Sequence, residues 1–234
     1  MLDLTRFDVI TFDCYGTLID WEAGILAALA PLRAASAVNA SDASLLNSYA
    51  MLESALQQDE YRRYRDVLRG VMRGLATRYS VPEERLNLDA LADSLASWRP
   101  FPDTVEALQR LGAYYRLGII SNTDVDLFAG TAKQLNAEFN FLVTAEQVGA
   151  YKPSHRNFHH ALDVIGVPRE RWLHAAQSRF HDIAPARELG IACVWVNRDS
   201  GRPGPGATAN SNAVPDLEVP DLKTLADLAD EAFA

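Results

Sequence analysis

Four places in the chain carry side chains that could act on a small molecule. Asp13 ends the apolar, β-branched run FDVITFD and is followed by Cys14, Tyr15, Gly16 and Thr17. A carboxylate at the end of a buried strand is costly unless it is paired, so an acid in this place needs a reason. Ser121 and Asn122 close the run RLGIISN, Lys152 stands in GAYKPS, and Asp182 follows Ser178 in QSRFHD. A carboxylate, a hydroxyl–amide pair, an ammonium group and a second carboxylate are groups able to do nucleophilic or acid–base chemistry. Each alone is ordinary in a loop. In this order, from four separate loops, they make a strong signal.

The runs that carry these groups read as strands of one sheet. DVITFD (8–13), RLGIISN (116–122), NFLVTA (140–145), WLHAA (172–176) and IACVWVN (191–197) are near-continuously apolar, as strands covered on both faces are. DLEV (216–219) reads as a short edge strand. Helical segments at 102–113, 125–136, 154–165 and 182–190 lie between them. The alternation predicts an α/β fold, a doubly wound parallel sheet with a Rossmann-like core. Ligands of such sheets bind beyond the carboxyl ends of the strands, where the four groups fall.

Residues 21 to about 98 break this rhythm. They hold no convincing strand, and Leu45, Tyr49, Leu52 and Leu56 recur at helical spacing, as do Tyr61, Tyr64 and Leu68. The expected organisation is a helical cap, 21–98, inserted into a core made of 1–20 and 99–234. Pro100 and Pro102 in WRPFPD mark the return to the core. The stretch 199–215 reads as a loop by composition and has no phosphate-binding glycine pattern. The cap stripe fits either a contact with a second chain, making a homodimer, or the protein's own core.

With 234 residues, 48% of them hydrophobic, the chain can bury a full core. No apolar run reaches the roughly 18 residues of a membrane span, so no membrane partner is expected. The start MLDLTRFD lacks the features of a secretory signal. Cys14 and Cys193 both follow strand-like segments, which predicts reduced, buried thiols in a cytoplasmic protein. A net charge of −9 argues against a nucleic-acid partner. It leaves any anionic substrate dependent on a few well-placed cations.

The order Asp13-Cys-Tyr-Gly-Thr17, Ser121-Asn122, Lys152, Asp182 resembles the four motifs of the haloacid dehalogenase superfamily over essentially the whole chain. The helical insertion also sits where that family's caps are inserted. Phosphatases of the superfamily carry a second Asp two places after the nucleophile, which protonates the departing alkoxide, a poor leaving group. Halide is a weak base and needs no such acid. Tyr15 in that position is similar to the L-2-haloacid dehalogenase branch, whose first motif is similar to DCYGT.

The resemblance implies a covalent hydrolysis of short 2-haloalkanoic acids. Ionised Asp13 would displace halide from C2, and water would hydrolyse the resulting ester to the inverted 2-hydroxy acid. Lys152 would keep Asp13 charged and steady the oxyanion of the second step, Asp182 would orient or deprotonate the water, and Thr17 would bond to Asp13. Ser121, Asn122 and the backbone N–H of Cys14 would hold the substrate carboxylate, with Ser178 of the fourth motif beside it. Tyr15 and Trp21 would wall a dry pocket. The implied partner is a small anionic organic acid. No cofactor or metal is implied; Mg²⁺ at Asp13 and Asp182 belongs to the alternative of a phosphate ester, another small 2-substituted acid being a second. A non-catalytic ligand-binding protein on the same fold is a rival of another class.

Departures and plainer readings stand beside these. The dehalogenase branch carries a cap arginine that receives the halide; the nearest alignment here places Ser48 or Tyr49 there. Arg62, Arg65 and Arg69 share a helix face and read as a solvated face or as a substitute. The family's fourth motif is typically Ser-x-Asn-x-x-Asp, whereas Arg179 stands where Asn is expected and His181 precedes Asp182. Asp20 reads as a helix cap, and Asp182 also fits as the cap of a helix at 183–190. Cys14 reads as a small buried filler, since no histidine is placed to activate it. His155, His159 and His160 lack the accompanying Glu of a metal motif.

Overall fold

Six parallel strands form one sheet in the computed structural model, which describes residues 2–58, 60–198 and 211–234. β1 (Val9–Phe12) is buried throughout and pairs with β2 (Arg116–Ser121) on one side and β4 (Trp172–Ala176) on the other. β3 (Phe141–Thr144) flanks β2, β5 (Ala192–Val196) flanks β4, and β6 (Leu217–Val219) closes the far edge, giving the order β3-β2-β1-β4-β5-β6. The direction of winding reverses between β1 and β4, which opens a crevice at their carboxyl ends. Phe12 lies opposite Ile119 and Ala175. Asp13 therefore emerges level with the ends of β2 and β4.

Between β1 and β2 the chain is helical, as expected for residues 21–98: α1 (Trp21–Ala28), α2 (Ala30–Ala35), α3 (Asp42–Gln57), α4 (Tyr64–Arg78) and α5 (Ala90–Ser94). Asp20 does cap α1, its Oδ1 accepting from Ala23 N–H at 3.2 Å. The apolar stripe of α3 is used within the chain. Leu45 and Tyr49 are buried, and Leu52 and Leu56 press on Gly74 and Gly70 of α4. A Cβ at those glycines would meet the leucine methyls at 2.6 and 2.9 Å, so the glycines permit the close approach of α3 and α4.

The remaining helices are α6 (Thr104–Leu111), α7 (Val125–Leu135), α8 (Ala145–Val148), α9 (His155–Ile165), α10 (Ala184–Glu188) and α11 (Leu222–Phe233). Successive strand residues face opposite layers. Val9, Ile120 and Trp172 pack with Phe158 of α9 and Ala186 of α10, while Ile10, Ile119 and Leu173 pack with Leu108 of α6 and Leu225 of α11.

Two helix boundaries differ from expectation. Tyr61 stands before α4, because the buried Asp124 side chain, from the loop after β2, caps the helix by accepting from Tyr64 N–H (2.9 Å) and Arg65 N–H (3.1 Å). That capping partner is distant in sequence and invisible to periodicity. The segment expected as helix 182–190 opens instead as a wide turn, Arg179–Ile183, capped by Ser178, before α10 begins at Ala184. Asp182 is thus inside the turn and not its cap. Pro185, with no N–H to give, falls where the turn passes into α10. Of the loop expected at 199–215, residues 199–210 lie outside the described residues. Among the described residues no helix is long and apolar enough to cross a membrane, and Cys14 and Cys193 are buried free thiols.

Candidate active site

Asp13, Thr17, Lys152 and Asp182 meet at the crevice beyond β1 and β4. Gly16 takes φ +95°, the left-handed region open to glycine, and the tight turn folds Thr17 back so that its hydroxyl donates to Asp13 Oδ2 at 2.8 Å. The same hydroxyl accepts from Gln177 N–H at 2.9 Å. Lys152 is 2% exposed and spends all three ammonium protons: on Asp13 Oδ1 (2.9 Å), Asp182 Oδ1 (2.6 Å) and the Ile120 carbonyl (2.8 Å). Asn122 holds the backbone that carries this lysine, accepting from Lys152 N–H at 2.7 Å and donating to the Lys152 carbonyl at 3.1 Å. Its amide is thereby largely engaged, and one Nδ2–H remains for a ligand.

A second line of bonds runs behind Asp182. Its Oδ1 lies 2.9 Å from Nε2 of His174, whose Nδ1 lies 2.8 Å from the Thr11 hydroxyl. Trp172 Nε1–H donates to that hydroxyl at 2.7 Å. The hydroxyl proton is then free for Nδ1, which leaves Nε2–H to donate to Asp182. Thr11, Trp172 and His174 are all fully or almost fully buried. Sequence reading passed over His174; a polar residue in the middle of the apolar run WLHAA was the signal available.

Burial raises the Asp13 pKa, Lys152 opposes the rise, and the neighbouring Asp182 adds to it; the net direction is upward. Burial also acts on Asp182, but there Lys152 and the bond from His174 prevail and the pKa falls. Lys152 is pushed up by its two acids despite burial. The three groups form two carboxylates around one cation.

A cavity of about 50 Å³ opens above them, lined by Asp13, Tyr15, Trp21, Ser121, Asn122, Lys152, Ser178 and Asp182. Ser121 Oγ and Asp182 Oδ2 are buried on its wall without a hydrogen-bond partner among the described residues, which marks them as atoms awaiting water or ligand. The Cys14 side chain instead belongs to the hydrophobic core, where burial pushes its thiol pKa well up. Only its backbone N–H, which finds no acceptor among the described residues, remains to serve a ligand. Ser178 Oγ is occupied in accepting from His181 N–H at 2.9 Å. Tyr15 turns its hydroxyl away, 2.9 Å from Thr131 Oγ1, and sets its ring edge-on to Trp98.

Glu53, Gln57, Tyr64, Gln177 and His181 also line the cavity and were not anticipated from sequence. Glu53 follows Tyr49 by one helical turn on the apolar stripe, and an acid there was the visible clue. Burial pulls the His181 imidazole down to about 4, so it faces the cavity uncharged at neutral pH. Lys152 is the cavity's cation among the described residues.

A family model for haloacid dehalogenase-like hydrolases matches residues 7–190. The chain belongs to that family. It is similar to an (S)-2-haloacid dehalogenase of Pseudomonas putida, at 30% identity over 135 residues, 54% of this chain and 59% of that protein. It is also similar to (S)-2-haloacid dehalogenase H-109 of the same species, at 26% over 223 residues, 93% and 96% of the two chains. Pyrimidine 5'-nucleotidase YjjG of Escherichia coli matches at 31% over 126 residues, 52% and 56% of the two. The first and third matches span little more than half of each relative's length. The L-2-haloacid dehalogenase of Xanthobacter autotrophicus with chloropropionic acid covalently bound shares the fold, with a TM-score of 0.78 at 20% identity over 96% of this chain and 98% of that one.

As a haloacid dehalogenase-like hydrolase this chain has its own features. No arginine lines the cavity among the described residues. Arg65 pairs with Asp93 and Arg69 with Asp89, both on the outside of α4, and Arg62 is exposed. Arg179 lies against Trp195 and donates to the Ala213 carbonyl, away from the site. The donor set suits a metal poorly, because Lys152 Nζ already bonds to both Asp13 and Asp182. Among the described residues no three His, Cys, Asp or Glu side chains are grouped to hold one.

Proposed function

We propose that this hydrolase cleaves the carbon–halogen bond of a short 2-haloalkanoic acid through an ester on Asp13. The observation that carries the reading is Tyr15: the position from which a proton would reach an alkoxide leaving group is aromatic, and its hydroxyl is spent on Thr131. The named activities of the dehalogenase relatives point the same way.

In the first step a carboxylate oxygen of Asp13 forms a bond to C2 as the carbon–halogen bond breaks, and the electron pair leaves with the halide. An ester made through Oδ2 leaves Oδ1 as its carbonyl oxygen, already in the hydrogen bond from Lys152 Nζ. Lys152 then needs no movement to stabilise the oxyanion of the second step. Water attacks that carbonyl carbon and gives one proton to Asp182 Oδ2, which passes it to the departing alkoxide oxygen; the acid left on Asp13 loses the water's second proton to solvent, and the carboxylate is restored. Ser121 Oγ, the remaining Asn122 Nδ2–H and the Cys14 N–H hold the substrate carboxylate. Tyr15 and Trp21 keep water from the nucleophile. Residues 21–98 act as the cap. Two unpaired buried thiols suit a reducing cytoplasm.

A single turnover in H₂¹⁸O with enzyme in excess tests this. Label is expected in the Asp13 carboxylate, together with release of one halide per site from a haloacetate. Label confined to the product would remove the ester. Phosphate release from p-nitrophenyl phosphate with Mg²⁺, and no halide from any haloacid, would move the enzyme to phosphate esters. Undiminished behaviour of Asp13→Asn would leave a binding protein.

A further inference from the structure

Among the described residues Glu53 is the one acid that the insertion places on the wall of this cavity. Its Oε1 accepts from both phenols of a buried pair, Tyr64 at 2.6 Å and Tyr49 at 3.0 Å. Its Oε2 has no hydrogen-bond partner and no cation pairs with it among the described residues. In-line displacement sends the leaving group to the side opposite the nucleophile. Asp13 comes from the core end of the cavity, and Glu53, Gln57, Tyr64 and Trp21 come from the helical insertion. The departing atom therefore moves toward the wall that carries Glu53.

An ionised Glu53 would face Asp13, Asp182 and a substrate carboxylate with only Lys152 as cation. The other titratable groups around it, Tyr49, Tyr64, Tyr151 and His181, supply no positive charge at neutral pH. Burial raises its pKa further than the two phenols lower it. Oε1 accepts from both phenols, so a proton on the carboxyl falls on Oε2.

Resting on the dehalogenase reading, we infer that Glu53 meets the departing halide and gives it a hydrogen bond from Oε2–H as the carbon–halogen bond breaks. The halide leaves with the bonding electrons, Glu53 keeps its proton, and the charge balance of the two steps is unchanged. Fluoride, the strongest hydrogen-bond acceptor among the halides, gains most from such a donor. Glu53 is thus a determinant of which halide the enzyme releases.

Fluoride and bromide release from fluoroacetate and bromoacetate by wild type, Glu53→Ala and Glu53→Gln, from pH 5 to 10, decides this. Glu53→Ala is expected to lose fluoride release by about 10²-fold, in the range for loss of one donor to a developing anion, while bromide release falls by less than about fivefold. In wild type the fluoride-to-bromide ratio should drop on the alkaline side as Glu53 ionises. In Glu53→Gln, whose amide donor is weaker and does not titrate, the ratio should be lower and flat with pH. Equal losses of both halides, or a wild-type ratio indistinguishable from that of Glu53→Gln across the pH range, would overturn the role of Glu53 alone. Should Glu53→Ala fail to fold, the Gln variant carries the comparison. If wild type frees neither halide, the dehalogenase reading falls and this inference with it.

Discussion

Asp13 and Asp182 share a single buried ammonium group, Lys152 Nζ, at 2.9 and 2.6 Å from one oxygen of each. Removing that group strands two carboxylates in the interior. Lys152→Met should abolish turnover and destabilise the fold by about 3–5 kcal/mol at pH 8. The sign with pH follows. Without the lysine the folded-state pKa of these carboxyls rises above the unfolded value. The variant therefore regains stability as pH falls and loses it as pH rises through the folded pKa. Urea melts at pH 5 and pH 8 measure this, and a stability gap from wild type that widened toward acid would contradict it.

In the proposed first step Asp13 must be ionised to act. Burial, with Asp182 adding and Lys152 opposing, holds its pKa above the ordinary 3.8. Activity should therefore decline on the acid side at a higher pH than an unperturbed aspartate would give. Asp182→Asn removes one of the raising influences, so the acid limb of its first step should shift to lower pH. A rapid-quench burst of halide release across pH isolates that step. An acid limb that stayed in place or moved upward in the variant would count against the assignment.

Much of this site was legible before any coordinates, and the reasons are local. Asp13, Ser121 and Asp182 sit at or soon after the ends of apolar runs, so the strand pattern alone delivers them to one edge of the sheet. Gly16 and Thr17 follow Asp13 closely enough that turn chemistry links them. Periodicity could not place Tyr61 or the start of α4, because Asp124, far along the chain, caps it. Nor could it bring Glu53 to the cavity; an acid on a helix stripe has meaning only once Tyr49 and Tyr64 are seen to hold it. Asn122 also clamps the lysine loop, a long-range pairing that no spacing encodes. His174 was missed because it occupies a strand interior, and its partners are Thr11 on the neighbouring β1 and Asp182 in the turn beyond its own strand.

His174 steers Asp182 without touching the cavity. In His174→Gln, the bond to Asp182 Oδ1 weakens and the orientation of Oδ2 toward water loosens. Halide release in the first turnover should persist, while hydrolysis of the ester slows by about 10-fold, the lower end of losses seen when an outer partner of a reacting group is removed. The ester on Asp13 should then accumulate and be visible by intact-protein mass spectrometry during turnover. Equal slowing of both steps would show that His174 supports the fold and not the orientation of Asp182.

The loop carrying Asp13 is also anchored by Arg198, which follows β5. Arg198, with its side chain 7% exposed, donates to the Thr17 carbonyl at 2.6 Å and to both oxygens of Asp103 at 3.0 and 3.2 Å. Asp103 also accepts from Leu222 N–H at 2.8 Å at the start of α11. Asp103→Ala would leave a nearly buried guanidinium unpaired, which should cost about 3 kcal/mol and lower Tm by roughly 6–12 °C in a chain of this size. Burial alone would raise the Asp103 pKa, but the bonds and charge of Arg198 with the Leu222 N–H outweigh it and the pKa is depressed. Its contribution is thus present above the unfolded carboxylate pKa and fades as pH falls through the lower folded value. Calorimetry of wild type and Asp103→Ala at pH 7 and near pH 3 should show the gap in Tm closing on the acid side. A gap that held its width would mean that the loss comes from packing and not from the ion pair that ties Thr17, and through it Asp13, to the body of the protein.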